Sequence, residues 1–69
     1  MKQCDRVLKY LDDFGSITTL EAVNDLGIMR LASRIHEIAK SGVPIIKKME
    51  SSKNRYGETV HYMRYSKGA

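Results

Sequence analysis

The chain has 69 residues, 29% of them charged, and a formal net charge of +4. A domain this short buries only about 60% of the surface its unfolded chain exposes, which leaves little room for a deep catalytic cleft beside the core. The single cysteine, Cys4, rules out an intramolecular disulfide; no run approaches the roughly 20 apolar residues of a membrane span, and the N-terminal segment lacks the apolar stretch of a signal peptide, so a cytoplasmic, membrane-free protein is expected.

Taken in chain order, Cys4, Val7, Leu8, Leu11 and Phe14 follow the spacing of one helical face, with Asp5, Arg6, Lys9, Asp12 and Asp13 on the other, and Gly15 supplies a stop. Ser16-Ile17 is a short extended connector, too brief to stand as a strand alone but able to pair with one. Thr18-Thr19-Leu20-Glu21 has the form of a capping box, in which a hydroxyl accepts from the backbone N–H three residues on and the glutamate reaches back. A second helix is predicted from there to Gly27, with Leu20, Val23, Ala22 and Leu26 as its inward candidates. From Met29 to Ser41 the apolar positions Leu31, Ala32, Ile35, Ile38 and Ala39 repeat at helical spacing, extended backward by Ile28, and Gly42 and Pro44 end this third helix.

Beyond Gly42 the period changes. The segments 43–49 and 58–65 are rich in β-branched and aromatic residues, and the stretch 50–57 between them holds Ser51, Ser52, Asn54 and Gly57, all turn formers. A hairpin with a loop at 50–57 is predicted. Its second strand should send Val60, Tyr62 and Arg64 to one side and His61, Met63 and Tyr65 to the other. The whole reads as one α+β domain over 1–69, a winged helix-turn-helix of three helices plus a C-terminal β-hairpin wing, with 66–69 as a flexible tail.

Charge is segregated along this frame. Residues 1–28 carry three basic against five acidic side chains, a net of −2, whereas residues 29–69 carry nine against three, a net of +6. A basic half joined to an acidic half points to one face made for a polyanion, which a merely solubilising excess would not require.

In a helix-turn-helix the second helix of the pair enters the major groove. Helix 29–41 is that candidate, with Met29, Arg30, Ser33, Arg34, Glu37 and Lys40 away from its apolar stripe. Arginine matches the O6 and N7 acceptors of guanine with two donors, so Arg30 and Arg34, with Ser33 between them, are the best candidates for reading bases; either could instead clamp phosphate. The plainer alternative is a solvated face on which Arg34 pairs with Glu37 at i, i+3. On the wing, Lys53, Asn54 and Arg55 are candidates for the DNA backbone or minor groove, against the alternative of a charged hairpin tip that keeps an edge soluble. Lys47 and Lys48 are consecutive on a strand and point to opposite faces, and Tyr56, Tyr62 and Tyr65 are assigned to packing.

Nothing in the sequence resembles an active site. Asp12 and Asp13 are adjacent on a polar helix face, Cys4 lies on an apolar stripe, and Cys4, His36 and His61 are too far apart for a zinc-ligand spacing, so no metal, no cofactor and no enzymatic activity are expected.

The segments Gly15-Ser16-Ile17-Thr18-Thr19-Leu20-Glu21-Ala22, Leu26-Gly27-Ile28-Met29-Arg30-Leu31-Ala32-Ser33-Arg34-Ile35 and Asn54-Arg55-Tyr56-Gly57-Glu58 together resemble a family of small helix-turn-helix domains common in bacteriophages and prophages, whose members look like winged helices. The resemblance runs from about Arg6 to Tyr65. It implies a helix-turn-helix from Thr18 to Ser41, a wing tip at Asn54 to Gly57, and double-stranded DNA as the partner, in a transcriptional regulator or a DNA-organising accessory protein. Self-association on DNA is expected as well, because one module of this size covers only roughly 600–1,000 Å² on DNA. A protein partner held by the basic face or the hairpin edge is the alternative function.

Overall fold

The computed structural model describes residues 2–68. Helix α1 spans Gln3–Phe14 and ends at Gly15; strand β1 follows at Ser16–Thr18. Helix α2 begins at Thr19–Glu21 and continues without a break as a wider π-helical segment, Ala22–Leu26. Helix α3 is Leu31–Lys40, and strands β2, Ile45–Lys53, and β3, Thr59–Lys67, form the hairpin. The sheet is antiparallel in the order β1-β3-β2, so Ser16-Ile17-Thr18 becomes a true strand only by pairing with Ser66, Tyr65 and Arg64.

The capping box forms as the spacing requires. Thr18 Oγ1 accepts from the Glu21 N–H at 3.3 Å, and Glu21 Oε1 accepts from the Thr18 N–H at 2.9 Å. Which side of this helix is buried departs from expectation: Ala22 is buried and Leu26 packs on the core, whereas Leu20 is 68% exposed and Val23 also faces outward. Ala22 and Leu26 are four apart and share one face; Leu20 and Val23 share another. Only one of the two can meet α1, and the shorter Ala22 allows the closer approach.

The core gathers Val7, Tyr10 and Leu11 from α1, Ile17 from β1, Ala22, Ile28, Leu31, Ile35 and Ile38 from the helix-turn-helix, and Tyr65 from β3. Ile28 lies in the turn between α2 and α3 and is wholly buried, which pins that turn to the core. Gly27 makes the turn possible with φ 70, while the Ile28 N–H reaches back to the Ala22 carbonyl at 3.0 Å. On α3 the buried stripe is Leu31, Ile35 and Ile38; Ala32 and Ala39, placed on it by periodicity, are exposed.

Strand alternation runs as predicted at the base of the hairpin, where Tyr65 is buried and Met63 packs on the core. The strands are longer than expected and the loop shorter: β2 runs to Lys53, so only Asn54 to Glu58 is left for the connection instead of 50–57. Nor does a tail begin at Ser66. Ser66 and Lys67 belong to β3, and the Gly68 N–H donates to the Pro44 carbonyl at 2.8 Å; Ala69 lies outside the described residues. Each hairpin strand is nine residues, about 30 Å at the usual rise, in a molecule 39 Å long.

Candidate nucleic-acid interface

Among the described residues the ion pairs join Lys9 to Asp13, Arg34 to Glu37, Arg64 to Glu21 and Glu50, and Lys67 to Asp12. Arg30, Lys40, Lys47, Lys48, Lys53 and Arg55 are exposed and enter none of them. Both acidic residues of the span 30–55, Glu37 and Glu50, are engaged by arginines. Exposed cations outside any ion pair therefore lie along α3 and the hairpin, whereas on α1 Lys9 is paired with Asp13 and the half-buried Arg6 donates to the Leu26 carbonyl at 3.2 Å.

Arg30 is the N-cap of α3. It is exposed, and no side chain caps the helix there. The first N–H groups of α3 are left open, which together with the helix dipole favours an anion at that end. Met29, 78% exposed, stands beside it, and Ser33 is half-buried on the next turn.

Arg34 takes a different path from Arg30. Its side chain is 29% exposed, Nη2 lies 3.0 Å from Glu37 Oε1, and its buried Nε has no hydrogen-bond partner among the described residues. Glu37 uses its other oxygen to accept from the Cys4 thiol at 3.1 Å, which ties α3 to α1. That hydrogen bond, with desolvation second, raises the Cys4 pKa above its ordinary value and keeps the sulfur a thiol. The i, i+3 pairing weighed from the sequence is thus present, and Glu37 serves as its acceptor.

The wing residues divide in the same way. Asn54 Oδ1 accepts from the backbone N–H groups of Tyr56 at 2.9 Å and Glu58 at 3.0 Å, and Nδ2 donates to Glu58 Oε1 at 3.3 Å, so its polar groups are taken up in building the turn. Gly57, at φ 77, closes it. Lys53 Nζ donates to Thr59 Oγ1 at 3.1 Å, and the Arg55 side chain has no intramolecular partner among the described residues. Tyr56, assigned to packing from the sequence, is instead 84% exposed at the tip; Tyr65 is buried and Tyr62 half-buried.

Sequence reasoning also missed Arg64, read only as a strand residue. Its Nε donates to Glu50 at 2.8 Å and its Nη1 to Ser16 at 3.0 Å and Glu21 at 3.4 Å, so it joins β2, β1 and α2. The Arg64 hydrogen bond holds the Glu50 carboxyl below the usual carboxylate range. The partners come from three distant segments, and no local pattern could have flagged them. Above this network lies a groove of about 610 Å³ with apolar walls of Leu20, Val23, Val60 and Tyr62.

Among the described residues no three His, Cys, Asp or Glu side chains come together as a metal site, and no helix is long and apolar enough to cross a membrane. Comparison with curated proteins and with solved structures returns no match to the chain. The family model of the winged helix-turn-helix domain matches residues 2–67, nearly the whole chain. Three helices with a turn pinned by Ile28, followed by an antiparallel hairpin, are the architecture of that DNA-binding fold, and the chain belongs to the winged helix-turn-helix domain family.

Proposed function

We propose that this protein binds double-stranded DNA as one unit spanning the whole chain, with α3 in the major groove and the wing on the backbone or minor groove, and that it is a cytoplasmic phage or prophage transcriptional regulator without catalytic activity. The observation that carries the DNA reading is the distribution of unpaired cations: Arg30, Lys40, Lys53 and Arg55 stand exposed without acidic partners on the two elements this fold directs at DNA. The resemblance to small phage and prophage domains supports the regulatory setting, and a DNA-organising accessory role fits the same contacts. Arg30 and Ser33 read base edges, Lys53 and Arg55 neutralise phosphates, and Asn54, Arg34 and Glu37 act chiefly by holding the wing turn and helix in place. A single module covers too little DNA for useful specificity, so two or more copies act together.

A salt titration of binding to duplex DNA tests this. The wild type should bind at low salt with a steep dependence, and Arg30→Ala should reduce the log–log slope by about 0.9 if that arginine meets one phosphate, or weaken binding by about 1–3 kcal/mol on one sequence alone if it reads a base. The double variant Arg30→Ala/Arg34→Ala should add little to the slope change. Absence of binding at low salt, or indifference to both arginines, would favour a second reading, an interaction module for a protein partner. The groove between α2 and the hairpin and the free outer edge of β2 support that alternative.

A further inference from the structure

The wing turn is more heavily built than a hairpin needs if its only task is to join two strands. The Asn54 N–H donates to the Glu58 carbonyl at 2.9 Å, the Gly57 N–H donates to the Asn54 carbonyl at 3.1 Å, and Asn54 Oδ1 holds the N–H groups of Tyr56 and Glu58. Together these bonds fix a three-residue loop, Arg55-Tyr56-Gly57, with its glycine in the left-handed region. The residue displayed at the apex is Tyr56. Among the described residues it is the most exposed large apolar side chain, at 84%, and glycine follows it, so no side chain crowds its ring from that side.

A single exposed aromatic ring is ordinary on a protein surface. What distinguishes Tyr56 is its setting. Its backbone is held by hydrogen bonds, its ring is almost wholly open to solvent, and the exposed cation Arg55 precedes it, with the exposed Lys53 at the end of β2. Cations of this kind bring a nucleic-acid backbone to the tip, and a tyrosine ring has only two side-chain torsions to freeze when it makes contact. Its chemistry suits the flat face of a nucleobase. An intact B-form duplex hides those faces within its stack, so a suitable base is one already unstacked at a bulge, gap or kinked step.

We propose that Tyr56 is a stacking site for an unstacked nucleobase, which makes the wing tip a sensor of locally distorted DNA. The proposal rests on the DNA-binding reading above. It adds that the wing contributes a contact made by ring faces, which salt does not screen, beside the phosphate contacts that salt does.

The test measures binding by anisotropy to two duplexes of the same sequence, one intact and one with a single unpaired 2-aminopurine bulge, across a range of salt. The wild type should bind the bulged duplex about ten-fold more tightly and quench the 2-aminopurine fluorescence by stacking on it. Tyr56→Ala should lose the preference and the quenching while its salt slope stays that of the wild type, and Tyr56→Phe should keep both. Arg55→Ala should weaken binding to both duplexes and lower the slope by about 0.9. Equal binding of the two duplexes by the wild type, or quenching retained by Tyr56→Ala, overturns the stacking site while leaving the DNA reading intact. A wild type that binds neither duplex at low salt overturns both. Thermal melting of each variant should match the wild type, since the tip touches no core residue.

Discussion

Ile17, Ile28, Leu31 and Ile35 are each no more than 2% exposed, whereas every residue from Ser51 to His61 is exposed. The helical body and the distal hairpin are stabilised by different means. In the body, side chains from α1, β1, α3 and the α2–α3 turn exclude water, and their polar groups are absorbed by one another, as where Tyr10 donates to Asp25 at 2.7 Å or Glu37 takes both Arg34 and Cys4. The distal hairpin has no core. It is held by its strand ladder and by the Asn54 and Gly57 turn, and its charged side chains Lys53, Arg55 and Glu58 stay exposed and outside the ion pairs of the described residues. Stability resides in the first region, and the groups available to a ligand lie along the rim of α3 and in the second.

The comparison is most easily broken in the body. Ile35→Ala should cost about 2–5 kcal/mol through lost burial and the cavity left behind, and a core this small rarely supplies more than about 3–5 kcal/mol in total. Chemical denaturation should find that variant largely unfolded at ambient temperature. Val60→Ala, on the exposed hairpin, should stay within about 0.5 kcal/mol of the wild type. If the two substitutions cost the same, the division between body and wing is wrong.

A smaller effect is expected at the wing tip. Gly57→Ala places a side chain at φ 77 and should cost about 1–2 kcal/mol, because the Cβ crowds the following carbonyl in that region. Hydrogen exchange should show faster opening at Asn54 and Glu58 while the amides of α1 and α3 keep their protection. DNA affinity should fall because the strained turn presents Arg55 and Tyr56 less well, and the melting temperature should drop by about 4–8 °C for each kcal/mol lost.

The smallest effect concerns pH. The hydrogen bond from Tyr10 to Asp25, with burial second, raises the phenol from its ordinary value of 10.0 to about 12. Tyr10 therefore binds its proton more tightly in the folded chain than in the unfolded one. Its contribution to stability is complete below pH 10.0 and is lost as the pH climbs towards about 12. In Tyr10→Phe the alkaline fall in melting temperature over that interval should be shallower. Glu50 works in the opposite sense. Held low by Arg64, its contribution is present above the ordinary carboxylate pKa and disappears as acid protonates it, so Arg64→Met should flatten the acid limb of the same profile.

Most of the architecture could be read before any tertiary contact was known. The helical spacing of Val7, Leu11, Leu31, Ile35 and Ile38, the capping box of Thr18 and Glu21, and the turn residues Asn54 and Gly57 each act within a few residues of chain, and all appear in the structure in the expected roles. The candidate site was legible in part. Segregated charge marked the second half of the chain, and Arg30, Lys53 and Arg55 are indeed exposed there.

What the sequence alone determined about this protein are the features set by local energy: where helices start and stop, which stripe of α3 is apolar, and where the chain reverses. Only the tertiary structure decided which of two apolar faces of α2 is buried, that Glu37 accepts from the Cys4 thiol as well as pairing with Arg34, and that Arg64 draws Ser16, Glu21 and Glu50 together. It also decided that Tyr56 projects from the tip while Tyr65, nine positions on, is buried. The physical reason is the same in each case. A side chain's burial and partners depend on what the fold sets opposite it, and that neighbour comes from a distant part of the chain.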